Sequence, residues 1–496
     1  MAVPSSPSGI AELLAAHAAT GPDRVALHFE GADLSYGELA LQCERIAAQL
    51  WHGWRVRSGD RVAWLGANHP GQLALLFALA RIGAILLPLN FRLAPAEWDA
   101  LIADCTPAHL VHDAGWADAA TQLGARHRLA VHPAAVLGRE GDRVDVASRG
   151  DASSPVLLVY TSGTTRRAKG ALHTQANLLA NMQIAANVQA MTPDDVVATM
   201  LPMFHVGGLC IQTLPALYAG AKVILHSRFS AEAALDCFER QRPSLTLQVP
   251  ATLKALVEHP RWQRADLSSL RAVWAGSSLL PAPLLAAFHA RGVPVCNVYG
   301  ATETGPFSIA LPPAHAMDHE GSCGWPAPGV EARIADTQDG IGELWVRGPN
   351  VVRDYWPAQP ACDPQGWFHT GDLATRAADG SYTVVGRASD LIISGGENIH
   401  PEEIEALLAE HPALAECAAF GVPDAQWGEV VAVAVVRKAG SAVSQNELEA
   451  HLAQRLARYK LPRHWLWLDA LPRTALGKVQ RQALATLPAG RATSRP

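Results

Sequence analysis

Short apolar runs alternate with amphipathic stretches along most of the chain. Between about residue 24 and residue 350, RVAWLG, PVLLVYTS, KVILH, LTLQV, AVWAG and PVCNVYG read as strands, and AEWDALIAD and AEAALDCFERQ show the spacing of helices with one apolar face. That alternation predicts α/β layers on largely parallel sheets. No internal repeat of fixed period is visible. Near residue 380 the texture changes. GSYTVVGRASDLIISGG reads as a hairpin, and HPEEIEALLAEHPAL as a helix with Pro401 in its first turn and acids behind it. A strand, VVAVAVV, a helix, SQNELEAHLAQRLA, and a last loop complete about 110 residues, enough for a small α+β domain. The boundary is expected between Gly386 and Asp390, and the final PAGRATSRP as a frayed tail.

Composition narrows the classes. At roughly 150 residues per domain, 496 residues suggest two or three units. Apolar residues make up 49% and charged ones 17%, with a net charge of −6, which leaves no basic surplus for nucleic acid. The N-terminus lacks a charged segment followed by an apolar core, and the most apolar stretch, QLALLFALARIGAILLPL, is interrupted by Arg81. A cytoplasmic protein without a membrane span is therefore expected. The eight cysteines are scattered, without a C-x-x-C pair, so neither a zinc site nor a disulfide framework is predicted.

The candidate chemistry begins at YTSGTTRRAKG, residues 160 to 170. Hydroxyls and backbone amides in a turn between a strand and a helix can cradle phosphate oxygens, and Arg166, Arg167 and Lys169 add positive charge. The lysine precedes its glycine, so this is not the common nucleoside-triphosphatase loop. By itself the stretch reads equally well as a solvated turn. Four further stretches decide: VYGATETG with Thr302 and Glu303, WFHTGDLA with Asp372, VVGRASDLIISGGENIHPEEIE with Arg387, and LPRTALGKVQR with Lys478. In this order and at these separations they resemble the acyl-adenylate-forming superfamily, which includes acyl-CoA synthetases, peptide-synthetase adenylation domains and luciferases. The resemblance runs from LSYGELA at residue 34 to GKVQR at residue 481.

The resemblance implies a large N-terminal domain of layered α/β subdomains with a small β-barrel-like part, residues 1–388. A smaller, mobile α+β domain, residues 389–496, carries the catalytic lysine. It implies that Thr161, Ser162, Gly163, Thr164, Thr165 and Lys169 hold the β- and γ-phosphates of ATP, that Tyr299, Gly276 and Ser277 line the adenine pocket, and that Thr302 meets the α-phosphate. Glu303 would hold Mg²⁺, and Asp372 and Arg387 the ribose. Lys478 would reach both the acid and the α-phosphate, stabilising charge as acyl-AMP and pyrophosphate form. His205 in LPMFHVGGL would lie beside the acid, with Val206, Gly300, Ala301 and Pro306 as walls. No lysine or arginine falls within the motifs near these walls, so a monocarboxylic acid, fatty or aromatic, is expected.

The second half-reaction implied is thiol attack on acyl-AMP after the small domain turns, with Gly395 and Gly396 beside the thiol channel and Arg92 and Trp427 as contacts for coenzyme A. The expected activity is an ATP-dependent carboxylic acid:CoA ligase. The alternatives are delivery to a carrier-protein thiol and a catalytically impaired nucleotide-binding relative. The partners expected are the acid, ATP and CoA, with a homodimer the one protein assembly considered. Two departures stand out: Arg166 and Ala168 replace the usual glycine and proline of the loop, and Ser389 replaces the usual Asp or Lys at the hinge.

Overall fold

The computed structural model describes residues 9–139, 150–161, 168–276, 280–338, 340–394, 397–424, 427–474 and 477–487. The chain packs into two units: Met1–Arg333 with Trp345–His369, and Ile334–Leu344 with Thr370–Pro496.

All six predicted strands form in the first unit. Val295–Tyr299, Ala272–Gly276, Leu245–Gln248, Val196–Thr199, Lys222–Leu225 and Val25–Phe29 run parallel, in that order, in a nine-stranded sheet with antiparallel strands at both edges. Phe238, Trp262 and Phe288 bury themselves on one face, against Val273, Ala275 and Val295. Each such side chain contributes about 1.5–3 kcal/mol by leaving water. An eight-stranded sheet includes the parallel strands Pro155–Thr161, Ile85–Leu89, Arg61–Leu65, His109–His112 and Ala130–Pro133. Its core joins Ala63, Leu65, Leu87, Leu110 and Leu158 to Trp98, Ile102 and Leu123. The most apolar stretch divides at Gly83 between the strand Ile85–Leu89 and, before it, the helix Pro70–Ile82, nearly all of it buried. The helix's 13 residues span about 20 Å, short of the roughly 30 Å of a bilayer core. No helix among the described residues is long and apolar enough to cross a membrane.

The segment after YTSGTTRRAKG corrects an expectation. It is the strand Lys169–Thr174, antiparallel to Pro155–Thr161, so the loop joins two strands rather than a strand and a helix. The cause is the KGALHT pattern, which buries Gly170, Ala171 and His173 between two neighbouring strands. The helix, Gln175–Val188, follows once Thr174 caps it by accepting from the Asn177 N–H at 3.2 Å.

The strands Phe368–Arg376 and Tyr382–Arg387 pair antiparallel within a four-stranded sheet. The expected hairpin does not form. Tyr382–Arg387 pairs in this sheet and Ile392–Ser394 in another, because the turn Ala388–Asp390 separates them. The packing division also differs from the expected 388/389, since residues 370–388 pack with the C-terminal part; Glu402 lies directly against Gly386. The long strands Leu414–Asp424 and Gly428–Arg437, with the strand His464–Trp467, sandwich a core with the helices Pro401–Ala409 and Gln445–Ala453. Ser444 and Glu447 form a reciprocal capping box on the second helix. Arg481 anchors the end of the unit: it pairs with Asp390 at 2.9 Å, Glu402 at 3.4 Å and Glu405 at 2.9 Å.

Candidate functional site

In open α/β sheets, ligands bind beyond the carboxyl ends of the parallel strands. The first unit carries most of the expected residues there. Gly276 ends the strand Ala272–Gly276, and Tyr299 ends Val295–Tyr299 beside it. Both glycines of this wall are obligatory, because a Cβ on Gly276 would overlap the Val298 carbonyl and one on Gly300 the Pro306 carbonyl. Ala301 donates its N–H to Thr304 Oγ1 at 2.9 Å, closing a tight turn, Thr302–Thr304. His205 and Val206 follow the strand Val196–Thr199; Val206 is buried, and His205 Nδ1 accepts the Gly207 N–H at 3.0 Å. The proton of the neutral imidazole therefore sits on Nε2.

Glu303, only 9% exposed, is held twice. Its carbonyl accepts the Val352 N–H at 2.8 Å, and its Oε1 accepts the Tyr355 hydroxyl at 2.9 Å. Thr161 and Lys169 pair across the base of the loop, with Thr161 Oγ1 donating to the Lys169 carbonyl at 3.3 Å. Lys169 Nζ lies 5.1 Å from the centre of the Tyr355 ring. Among the described residues no group of three or more His, Cys, Asp or Glu could hold a metal, so a cation at Glu303 meets at most two such ligands among them. That donor set fits Mg²⁺, which is commonly bound through one or two carboxylates with substrate phosphates completing its shell.

Arg92, also in the first unit, has a second guanidinium beside it. Arg92 and Arg228 both stand over Phe91, at 5.6 and 5.5 Å, and Arg228 also over Trp116 at 5.3 Å. Burial and Arg228 push the Arg92 guanidinium below its ordinary value, as expected of a cation facing a cation. In the second unit, Arg387 Nε donates to Asp372 Oδ1 at 2.7 Å across paired strands. Lys478 is exposed in a turn closed by Thr474, whose N–H donates to the Lys478 carbonyl at 2.7 Å. Trp427 is 38% exposed, with the Arg463 guanidinium 5.2 Å from its ring centre.

Ser162, Gly163, Thr164, Thr165, Arg166, Arg167, Ser277, Gly395 and Gly396 lie outside the described residues. The structure thus brings Lys169 and Glu303 to Tyr355, sets Thr161 beside Lys169, and pairs Asp372 with Arg387. Sequence reasoning missed Tyr355, Arg228 and Arg463. Only the aromatic and cationic residue types in RDYW, HSRF and LPRHW hinted at them.

The chain is similar to known proteins over most of its length. The AMP-binding enzyme family matches residues 14–356, and the AMP-binding enzyme C-terminal domain matches residues 403–478. An indoleacetate–CoA ligase of Aromatoleum aromaticum is 43% identical over 499 residues, covering 96% of this chain and 98% of that protein. A feruloyl-CoA synthase of an Amycolatopsis species is 40% identical over 467 residues, covering 92% and 94%. The o-succinylbenzoate CoA synthetase MenE of Bacillus subtilis, solved with its acyl-adenylate OSB-AMP, superposes with a TM-score of 0.88 at 32% identity, covering 97% of this chain and 99% of that one. The chain belongs to the AMP-binding enzyme family. Within it, the chain is of the acid–CoA ligase type, AMP-forming.

Proposed function

We propose that the chain joins an aromatic monocarboxylic acid to coenzyme A, using ATP and Mg²⁺, in two half-reactions. The observation that carries the reading is the buried Glu303 carboxylate, anchored through one oxygen and set beside the strand that starts at Lys169. In the first half-reaction the acid's carboxylate attacks the α-phosphorus, the bond to the bridging oxygen breaks, and pyrophosphate leaves. His205 donates from Nε2 to the acid, with Val206, Gly300, Ala301 and Pro306 as walls. Thr302 meets the α-phosphate; Thr161, Ser162, Gly163, Thr164, Thr165 and Lys169 hold the phosphates that leave. Glu303 would hold Mg²⁺, and what the ion supplies is neutralisation of charge on the β- and γ-oxygens. Tyr299, Gly276 and Ser277 bound the adenine, and Asp372 accepts from the ribose in an orientation that Arg387 fixes. Lys478 brings a cation to the point where two anions meet.

In the second half-reaction the CoA thiolate attacks the acyl carbonyl and AMP leaves. Arg92, supported by Arg228, faces the cosubstrate's phosphates, and Trp427 with Arg463 offers a stacking surface; Gly395 and Gly396 border the thiol's path. The pivot between the two steps is near residues 388 and 389. Ser389 fits that place because its hydroxyl donates to Asp390 at 3.2 Å, tying the turn to Arg481. The aromatic class is supported by the acids named for two relatives, indoleacetate and ferulate, each with one carboxylate. A cytoplasmic location, where ATP and CoA are both supplied, belongs to the same reading.

Pyrophosphate release across a panel of carboxylic acids, with and without CoA, tests it. Aromatic acids should exceed straight-chain fatty acids at least about tenfold in kcat/KM, the yield of one lost pocket contact of about 1.4 kcal/mol. A preference for long fatty acids would overturn the aromatic assignment.

A further inference from the structure

We propose that Tyr355 is a positioning residue that orients the Glu303 carboxylate for Mg²⁺ and links it to the phosphate-loop lysine, a proposal that rests on reading Glu303 as the Mg²⁺ ligand. Tyr355 belongs to the two-residue strand Asp354–Tyr355, which lies between Gln359–Pro360 and the lysine strand, far from Glu303 in sequence, and two connections bring it there. Tyr355 is the register partner of Ala171 on the strand that starts at Lys169, and the Trp356 N–H donates to the Gly170 carbonyl at 2.7 Å. On the other side, the Val352 N–H reaches the Glu303 carbonyl at 2.8 Å, and Asn350 Nδ2 donates to the Thr304 and Phe307 carbonyls. Asn177, in the helix after the lysine strand, pins the same segment through the Pro349 and Val351 carbonyls at 2.9 and 3.0 Å. The segment 349–356 is therefore a brace between the lysine strand and the Glu303 turn.

The chemistry of the brace suits a cation ligand. A lysine or arginine at 2.9 Å from Glu303 would fix the carboxylate but also cancel its charge. A phenol fixes it while leaving the full negative charge for an incoming ion. Oε2 has no hydrogen-bond partner among the described residues, so one oxygen is anchored and the other open. The anchoring donor is the Tyr355 hydroxyl, at 2.9 Å from Oε1. The same ring presents its π surface to Lys169 Nζ at 5.1 Å. Losing the donor should therefore weaken metal use specifically, while other contacts to the nucleotide persist.

The test is calorimetric binding of ATP at graded Mg²⁺ concentrations, a readout independent of turnover. Tyr355→Phe should raise the Mg²⁺ concentration for half-maximal enhancement of ATP binding about 10- to 100-fold, the range for losing a hydrogen bond that supports a metal ligand. In kinetics, KM for ATP should climb with the Mg²⁺ requirement and be recovered at high Mg²⁺. Incorporating 4-aminophenylalanine at position 355 restores a donor and should restore the wild-type requirement. If Tyr355→Phe folds poorly, 4-methylphenylalanine fills the same volume without a donor and takes its place in the comparison. Glu303→Gln separates the two failures. If Glu303→Gln shifts the Mg²⁺ dependence and the donor-free variants at 355 do not, the brace proposal is overturned alone. An unchanged dependence in Glu303→Gln overturns the ligand reading beneath it.

Discussion

Gly300 meets the Pro306 carbonyl so closely that a methyl group has no room, and the contact is backbone to backbone. Gly300→Ala must therefore push the 300–306 segment, and the Thr302–Thr304 turn with it. Overpacking of this kind costs about 1–3 kcal/mol. We expect a lower urea midpoint and at least a tenfold rise in KM for ATP. Gly53→Ala is the control: nothing lies within 4 Å of its added carbon, so the change should stay within about 0.5 kcal/mol. A wild-type KM in Gly300→Ala would mean the turn tolerates displacement. At this scale the motif residues were readable before the fold. Glu303 and Lys478 each sit in a local pattern. Tyr355 does not: it acts through a two-residue strand, too short to show a period, on a partner far along the chain. Arg228 likewise gains its meaning only when packing sets it beside Arg92.

Among elements, the strand Lys169–Thr174 carries a consequence of its own. It was misread because its apolar positions continue toward the following helix, and strand and helix cannot be told apart over so short a run. Its pairing partners lie on either side, one of them, Asp354–Tyr355, far downstream in the chain. His173, on this strand, is fully buried, and burial pushes its pKa down to about 4, with the Thr302 backbone opposing the shift. The folded protein thus binds fewer protons here than the unfolded chain between pH 6.5 and about 4. Stability from this group is intact above pH 6.5 and falls as the solution is acidified, by up to about 1.4 kcal/mol per pH unit. From pH 7 to pH 5, wild type should lose roughly 2 kcal/mol more than His173→Leu in urea unfolding. Equal losses would mean the imidazole finds a proton acceptor as the protein acidifies. The six strands and the two C-terminal helices, by contrast, were legible, because each has an apolar run or a capped period with a single reading.

At the scale of the whole chain, two layers of mostly parallel sheet and a smaller α+β unit were legible from the change of texture near residue 380. The packing division was not. Residues 370–388 look like a continuation of the first unit in sequence, and packing between segments far apart in the chain, such as Glu402 against Gly386, joins them to the second. If one lysine serves adenylation and then withdraws, its loss must separate the half-reactions. Lys478→Ala should lower acyl-AMP formation about 100- to 1,000-fold and leave thioester formation from supplied acyl-AMP close to wild type. Equal damage to both steps would contradict the assignment. Failure of the wild-type chain to convert supplied acyl-AMP would instead count against Ser389 as a working pivot.

The Arg481 anchor decides how that lysine can travel. Lys478 precedes Arg481 by three residues, a chain length of at most about 10 Å. Arg481 is clamped by three carboxylates and the Ala419 carbonyl, and the intervening Val479 bridges back to Arg473. A leash that short keeps the Lys478 backbone close to the clamped Arg481. If Lys478 is the adenylating cation, its mooring travels with Arg481, and retracting it means turning the body that carries both.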